Sequence, residues 1–229
     1  MIIMARKFAK GRIMKNNPDF KNLHVVDHPL VSAKLSRMRD ETCPTGEFRR
    51  LLKEISFLLG YEVTRILPQT TKTIKTPMQE MDAPVLDGPL PVVVPILRAG
   101  LGMAEGLIEL IPDCNIGHIG LFRDEETHRP VEYLVRLPSP QGNMFILTDP
   151  MLATGHSAEY ALDLLARHGV KPSQMVLMCL VAVPEGVRQI RTRYPDVRIF
   201  TAALDEKLNE KAYILPGLGD AGDRLFGTL

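Results

Sequence analysis

The chain has 229 residues, 45% of them hydrophobic and 24% charged, a balance that fits one good-sized α/β domain, or a domain with a small appendage, and excludes a disordered chain. Lys and Arg total 28 against 27 Asp and Glu, for a net charge of +1, so no global charge draws the protein to nucleic acid or to a membrane surface. Uncharged runs reach about a dozen residues, and a membrane-spanning helix needs ~20. Three cysteines, Cys43, Cys114 and Cys179, form no C-x-x-C pair. That removes zinc and thioredoxin-like redox readings and points to free thiols in a reducing cytoplasm.

Residues 1–21 carry six basic side chains and one acid, so a mildly acidic body follows a basic tail. The tail is expected to be a flexible extension, with Met4 and Met14 as alternative starts; a mitochondrial-targeting or nucleic-acid-binding arm also fits its acid-poor composition. From residue 22 to residue 229 a single domain is expected. A helix is predicted over 29–40. A second starts near Thr45, where Phe48, Leu51, Leu52, Ile55, Leu58 and Leu59 recur at helical spacing and only the acid of a capping box is missing. The Thr- and Pro-rich stretch 68–89 reads as irregular or short-stranded.

Four short apolar runs follow, at 90–97, 144–148, 175–183 and 198–204. Helical patterns lie at 157–168, stopping at Gly169, and at 185–193, stopping before Pro195. Apolar strands alternating with helices predict an α/β fold with a central, mostly parallel sheet and helices on both faces. Ligands of such sheets sit at the carboxyl ends of the strands, which directs attention to 98–102, to 149–157 and to 184–186. The segment at about 120–138 is different: alternating runs flank a charged tip, the pattern of a protruding hairpin arm.

The densest motif is Asp149-Pro150-Met151-Leu152-Ala153-Thr154-Gly155-His156-Ser157. A strand delivers an Asp, and Thr154, Gly155 and Ser157 open a helix whose free N–H groups can cradle phosphate; capping of the helix by Ser or Thr is the structural alternative. It is not a Walker A loop, since no Gly-Lys dipeptide occurs in the chain. Gly217-Leu218-Gly219-Asp220-Ala221-Gly222 matches G-x-G-x-x-G, but only seven residues follow, too few for a dinucleotide-binding βα unit. So many glycines, with Leu225 and Phe226 beyond, indicate a shaped and docked backbone suited to a flat ligand. Arg98, directly after a buried strand, either forks onto a phosphate or joins a structural ion pair. The six histidines show no metal-ligand spacing. Asp124, Glu125 and Glu126 read as a solvated hairpin tip.

These segments together resemble the uracil phosphoribosyltransferase family over nearly the whole chain. The likeness rests on 28–31, 93–103, Arg123 with Glu125, Glu126 and Thr127, the loop 149–157, 184–186, 208–210, 213–223 and 226–228. Asp149-Pro150, in place of the acidic pair usual in phosphoribosyltransferase loops, marks the uracil branch when combined with the terminal glycine segment. The resemblance implies transfer of ribose 5-phosphate from phosphoribosyl pyrophosphate (PRPP) to uracil, giving UMP and diphosphate with Mg²⁺ carried by PRPP. It implies that the loop 149–157 holds the 5-phosphate and ribose, and that Arg98 and Arg123 contact the diphosphate, Arg123 from a mobile arm. Ile214, Gly219, Asp220 and Ala221 would take uracil, with Asp220 also linked to PRPP and its metal. A homodimer or higher homo-oligomer follows by the same analogy, while activation by GTP stays open. His156 departs from the family, which often has a second Gly there. An RNA-binding pyrimidine regulator on the same scaffold is the alternative; it is disfavoured by the acidic body and by the terminal segment such regulators lack.

Overall fold

The computed structural model describes residues 14–16, 20–123 and 130–228. The charged tip predicted at 124–129 and most of the basic extension lie outside the described residues. The described part of the extension is Met14–Asn16 with Phe20 and Lys21. Strands β1 (Met14–Asn16) and β2 (Leu23–Val26) pair antiparallel at one edge of the main sheet, and Phe20 between them is buried.

Helix α1 (Pro29–Arg39) opens with Pro29 at a position that needs no N–H donor, and His28 Nδ1 accepts from the Leu30 N–H at 3.2 Å. Helix α2 (Thr45–Val63) buries the predicted apolar face through Phe48, Leu51, Leu52, Ile55 and Leu59. Its cap differs from expectation. Pro44, not Thr45, is the N-cap residue and makes no side-chain cap, while Glu47 supplies first-turn negative charge and is held by Arg37 at 2.7 Å.

The stretch 68–89 also departs from expectation. It forms two seven-residue strands, β3 (Gln69–Lys75) and β4 (Glu80–Leu86), paired antiparallel in unbroken register. The β-branched Thr70, Thr71, Thr73 and Ile74 favour the pleat, and Thr76 Oγ1 accepts from the Met78 and Gln79 N–H groups to close the turn. Proline misleads the sequence reading here because a two-stranded ribbon is all edge, where Pro84 withholds no needed donor.

The chain then builds the sheet: β5 (Val92–Leu97), α3 (Gly100–Leu110), β6 (Asn115–Ile116), β7 (His118–Arg123), β8 (Pro130–Arg136), β9 (Phe145–Thr148) and β10 (Met151–Leu152). It continues with α4 (His156–Arg167), β11 (Met175–Ala182), α5 (Pro184–Arg193), β12 (Arg198–Leu204), β13 (Lys207–Leu208), β14 (Ile214–Leu215) and α6 (Ala221–Phe226). The main sheet runs β1-β2-β12-β11-β9-β5-β7-β8, parallel from β2 to β7, with an antiparallel strand at each edge. β7 and β8 form the predicted hairpin, rooted in the sheet because Ile119 and Gly120 pair with β5.

Alternation along the strands divides the interior into two cores. Val93, Ile146, Val176 and Met178 face α1, α2 and α3, whereas Val92, Val94, Phe145, Leu147, Met175 and Leu177 face α4 and α5. Apolar side chains on both faces of each strand explain the unbroken apolar runs. Cys179 sits inside, and burial pushes its thiol up to about 12, so it is inert.

Candidate active site

β5 and β9 lie side by side in register from Val92↔Phe145 to Pro95↔Thr148. Arg98 and Asp149 therefore leave the sheet at neighbouring carboxyl ends. Two features bring these ends together. Gly100, the first residue of α3, has no room for a Cβ, which would meet the Thr148 carbonyl oxygen, and the Thr148 hydroxyl donates to the Gly100 carbonyl at 3.0 Å. The cleft that results has a volume of about 270 Å³ and is lined by Arg98, Ala99, Asp149, Met151, Asp220, Ala221 and Gly222.

Among the described residues Asp149 accepts one hydrogen bond, from the Met151 N–H at 3.4 Å. Burial pushes its carboxyl up to about 6 and the Asp220 carboxylate adds to the rise, with the Met151 N–H acting against them. Arg98 is exposed and lies over the Phe226 ring, 5.4 Å from its centroid. Among the described residues it pairs with no carboxylate. Among the described residues the ion-pair reading of Arg98 thus finds no partner, and its fork is placed to meet an anion.

After Asp149 the loop divides. Pro150 and Leu152 turn inward: the Pro150 carbonyl accepts from Leu180 and Val181, and β10 runs parallel to β11. The Leu152 side chain is in the core. Ala153 and Thr154 then lead to Gly155, which caps α4 at φ 86°. The first helical bond runs from the Glu159 N–H to the Gly155 carbonyl at 2.8 Å, and no side chain caps the helix. The N–H groups of His156, Ser157 and Ala158 consequently point out of the helix, as an anion site requires. Glu159, the acid that would repel an anion, is turned toward α5 by Gln189 at 2.7 Å. Gly186 supports the loop from behind: a Cβ there would lie 2.5 Å from the Ala153 carbonyl oxygen and 2.8 Å from that of Leu152. The segment 184–186, picked out by its place after a strand, thus braces the loop.

The opposite wall is the terminal glycine segment, and it is docked as expected. Ile214, Leu218, Ala221 and Leu225 are buried in the core beside α1–α3. Gly217 at φ 62° admits no side chain, because a Cβ would strike the Ile214 carbonyl. Asp220 caps α6, accepting from the Asp223 N–H at 2.9 Å. Arg39 and Arg224, which sequence reasoning missed, hold this segment. Arg39 donates to Asp205 and to the Gly217 carbonyl, and Arg224 to the carbonyls of Leu218, Met38 and Asp40.

Of the sequence-predicted residues, the fold brings Arg98, Asp149, Met151, Asp220 and Ala221 to one cleft. Thr154, Gly155, His156 and Ser157 stand at the adjoining helix start. Pro150, Leu152 and Ile214 contribute little side-chain surface, being buried, and Gly219 lies in the loop before α6 at φ 77°. Arg123 ends β7, and its side chain lies outside the described residues. Ala99 and Gly222 also line the cleft; neither was named as a site residue, although 98–102 and the glycine segment 217–222 were both picked out.

Residues 25–228 match the family model described as UPRTase, uracil phosphoribosyltransferase. The chain belongs to the uracil phosphoribosyltransferase family. A uracil phosphoribosyltransferase of Rhodospirillum centenum is 60% identical over 215 residues, 94% of this chain and 100% of that relative. One from Paraburkholderia phymatum is 55% identical over 94% of this chain and 99% of its own length. Among solved structures, the AQ2163 protein of Aquifex aeolicus superimposes with a TM-score of 0.83 at 36% identity, covering 89% of this chain and 97% of that one. The RNA-binding regulator finds no support among these relatives of the family.

Proposed function

We infer that the protein is a uracil phosphoribosyltransferase: it transfers ribose 5-phosphate from PRPP to uracil, giving UMP and diphosphate. The observation that carries this reading is the meeting of Arg98, Asp149 and Asp220 in one cleft between an uncapped helix start and the terminal glycine segment. In the reaction the bond from C1 of the ribose to the diphosphate oxygen breaks, its electron pair leaving with diphosphate, while uracil N1 bonds to C1 and gives up its proton. Charge therefore grows on the leaving oxygens. Arg98 takes that charge with its fork, joined by Arg123 from the arm. The N–H groups of His156, Ser157 and Ala158, with the Thr154 and Ser157 hydroxyls, hold the 5-phosphate. Asp149 accepts from the ribose hydroxyls.

The backbone at 214–221 reads uracil: a carbonyl accepts from its imide N–H, and N–H groups donate to its oxygens. Cytosine reverses that pattern at two positions and leaves buried groups unpaired, a cost of roughly 1–3 kcal/mol for each unsatisfied group. Closure of the β7–β8 arm excludes water and protects the donor from hydrolysis.

Mg²⁺ fits the donor set. Asp149 and Asp220 face one cleft, and the charge of Asp220 raises the proton affinity of Asp149, a repulsion that a cation relieves. Among the described residues no group of three or more metal-ligating side chains occurs. Two carboxylates suit an ion that arrives mainly on phosphate oxygens, and its chemistry would be to neutralise the departing diphosphate. A homo-oligomer is supported by the β3–β4 hairpin, which exposes Ile74, Met78, Met81 and Leu86, since an isolated ribbon is marginal in water. A reducing compartment such as the cytoplasm is supported by three unpaired cysteines.

The test is UMP formation from uracil, PRPP and Mg²⁺, with cytosine, orotate and hypoxanthine in parallel and with GTP present or absent to read any activation. Turnover with uracil alone is the expected result. A folded protein silent with every base, with and without GTP, overturns the reading.

A further inference from the structure

The terminal wall of the cleft is fastened by a pair of side chains that do not line it. Asp205, at the end of β12, is only 7% exposed. Its two carboxylate oxygens take the Arg39 guanidinium at 2.8 and 2.5 Å. Both then grip one residue through its two flanking peptides: the Gly217 N–H donates to Asp205 Oδ2 at 3.0 Å, and the Gly217 carbonyl accepts from Arg39 Nη1 at 2.6 Å. Gly217 has a left-handed backbone and no room for a side chain. Gly217 itself therefore offers only its backbone groups as anchors, between the buried side chains of Ile214 and Leu218.

We propose that Arg39 and Asp205 are positioning residues for base recognition, locking the Gly217 turn so that the backbone groups of 214–221 meet uracil in one geometry. This rests on the functional reading above and deepens it. Neither residue lines the cleft, so the action is indirect. The anchor is local and rigid. Arg39 lies in the last turn of α1, and the neighbouring carbonyls of Met38 and Asp40 hold Arg224 at 2.5 and 2.6 Å, which grips the Leu218 carbonyl at 2.9 Å. The carbonyls of two consecutive residues of the base wall, Gly217 and Leu218, are thus tied to three consecutive residues at one helix end. Recognition by backbone groups tolerates little drift, because the hydrogen bonds that separate uracil from cytosine weaken steeply with misalignment. A buried ion pair is in general a poor source of stability, but its fixed fork geometry suits it to setting the position of a peptide.

The test uses Arg39→Lys and Asp205→Asn in the full chain, with steady-state kinetics in both substrates and a thermal melt. Lys keeps the charge beside Asp205 but cannot bridge carboxylate and Gly217 carbonyl as a fork. Asn keeps an acceptor for the Gly217 N–H and loses the ionic grip. The expected result is a rise of roughly tenfold to a hundredfold in the KM for uracil, the range for hydrogen bonds to charged groups, with the KM for PRPP changed less than about twofold. The double variant should be little worse than either single one, since the pair acts as a unit. A merely structural role lowers the melting temperature and leaves the ratio of the two KM values unmoved; that result overturns the proposal. If Asp205→Asn does not fold, Arg39→Lys decides the question alone. A wild-type protein that makes no UMP overturns the functional reading and this inference together, whereas an active wild type beside variants with unchanged uracil KM overturns the inference only.

Discussion

The two walls of the cleft are built by different physics. The loop wall, from Asp149 to Ser157, is set by the regular structure on both sides of it: β10 is zipped to β11, α4 starts at a left-handed glycine, and Gly186 of α5 presses against the loop carbonyls. The terminal wall has little regular structure behind it. It is a short strand, a glycine turn and a six-residue helix, fastened by arginine forks and buried apolar side chains. A phosphate is bound by a fixed array of N–H groups, which a sheet and a helix provide directly. A flat base needs an edge-on backbone of irregular course, which must be pinned point by point.

The comparison is sharpest at Arg98, which stands between the walls. Arg98→Ala should lower turnover by roughly a hundredfold to a thousandfold, the usual cost of removing one donor from developing charge, while the affinity for uracil changes little. Unchanged turnover would place charge stabilisation elsewhere. Next in size is the brace behind the loop. Gly186→Val puts side-chain atoms where the Ala153 and Leu152 carbonyls stand, so the loop must shift. Stability should fall by about 1–3 kcal/mol, and the KM for PRPP should rise well beyond that for uracil. Equal changes in both would mean that the walls are mechanically coupled, not separate.

The same division decides what was legible in the sequence. Strand, loop and helix of the loop wall are neighbours in the chain, so Asp149, Gly155 and Ser157 announce themselves through periodicity and a glycine at a helix start. The docked terminal segment was also readable, from Leu225 and Phe226. Its fastenings were not: Arg39 is 166 residues from Asp205 and 178 from Gly217, and an Arg in the last turn of a helix has an ordinary explanation in the helix dipole. The β3–β4 hairpin failed for another reason. Its prolines read as breakers, yet an isolated ribbon has free edges that tolerate them.

A smaller effect separates chemistry from architecture within the terminal wall. Asp220 lines the cleft and also caps α6. Asparagine caps a helix about as well as aspartate, so Asp220→Asn should leave the melting temperature within ~2 °C of wild type, since surface-like changes cost at most ~0.5 kcal/mol. Turnover should nevertheless fall by roughly tenfold or more through loss of the charge. An unfolded variant would show that the carboxylate is architectural; a fully active one would remove Asp220 from the site.

A change in stability at the loop wall points the opposite way from function. Asp149 has a carboxyl raised to about 6, by burial first and by Asp220 second, from an unfolded value near 3.9. A group whose folded pKa is raised binds its proton more tightly in the native state. Its favourable contribution is complete below the unfolded value and is lost as pH climbs through about 6. At pH 7 and above the native protein therefore holds a strained carboxylate. Asp149→Asn should stabilise the metal-free protein there by up to about 3 kcal/mol, with the gain shrinking as pH falls and gone near ~4, while the ribose contact and activity are lost. Thermal melts of both proteins across that range, without Mg²⁺, read the difference directly. A gain that persisted at acid pH would assign the effect to packing instead of charge. A loss of stability at neutral pH would mean that the Met151 N–H outweighs burial, and that the loop wall, like the terminal one, is held by its polar contacts.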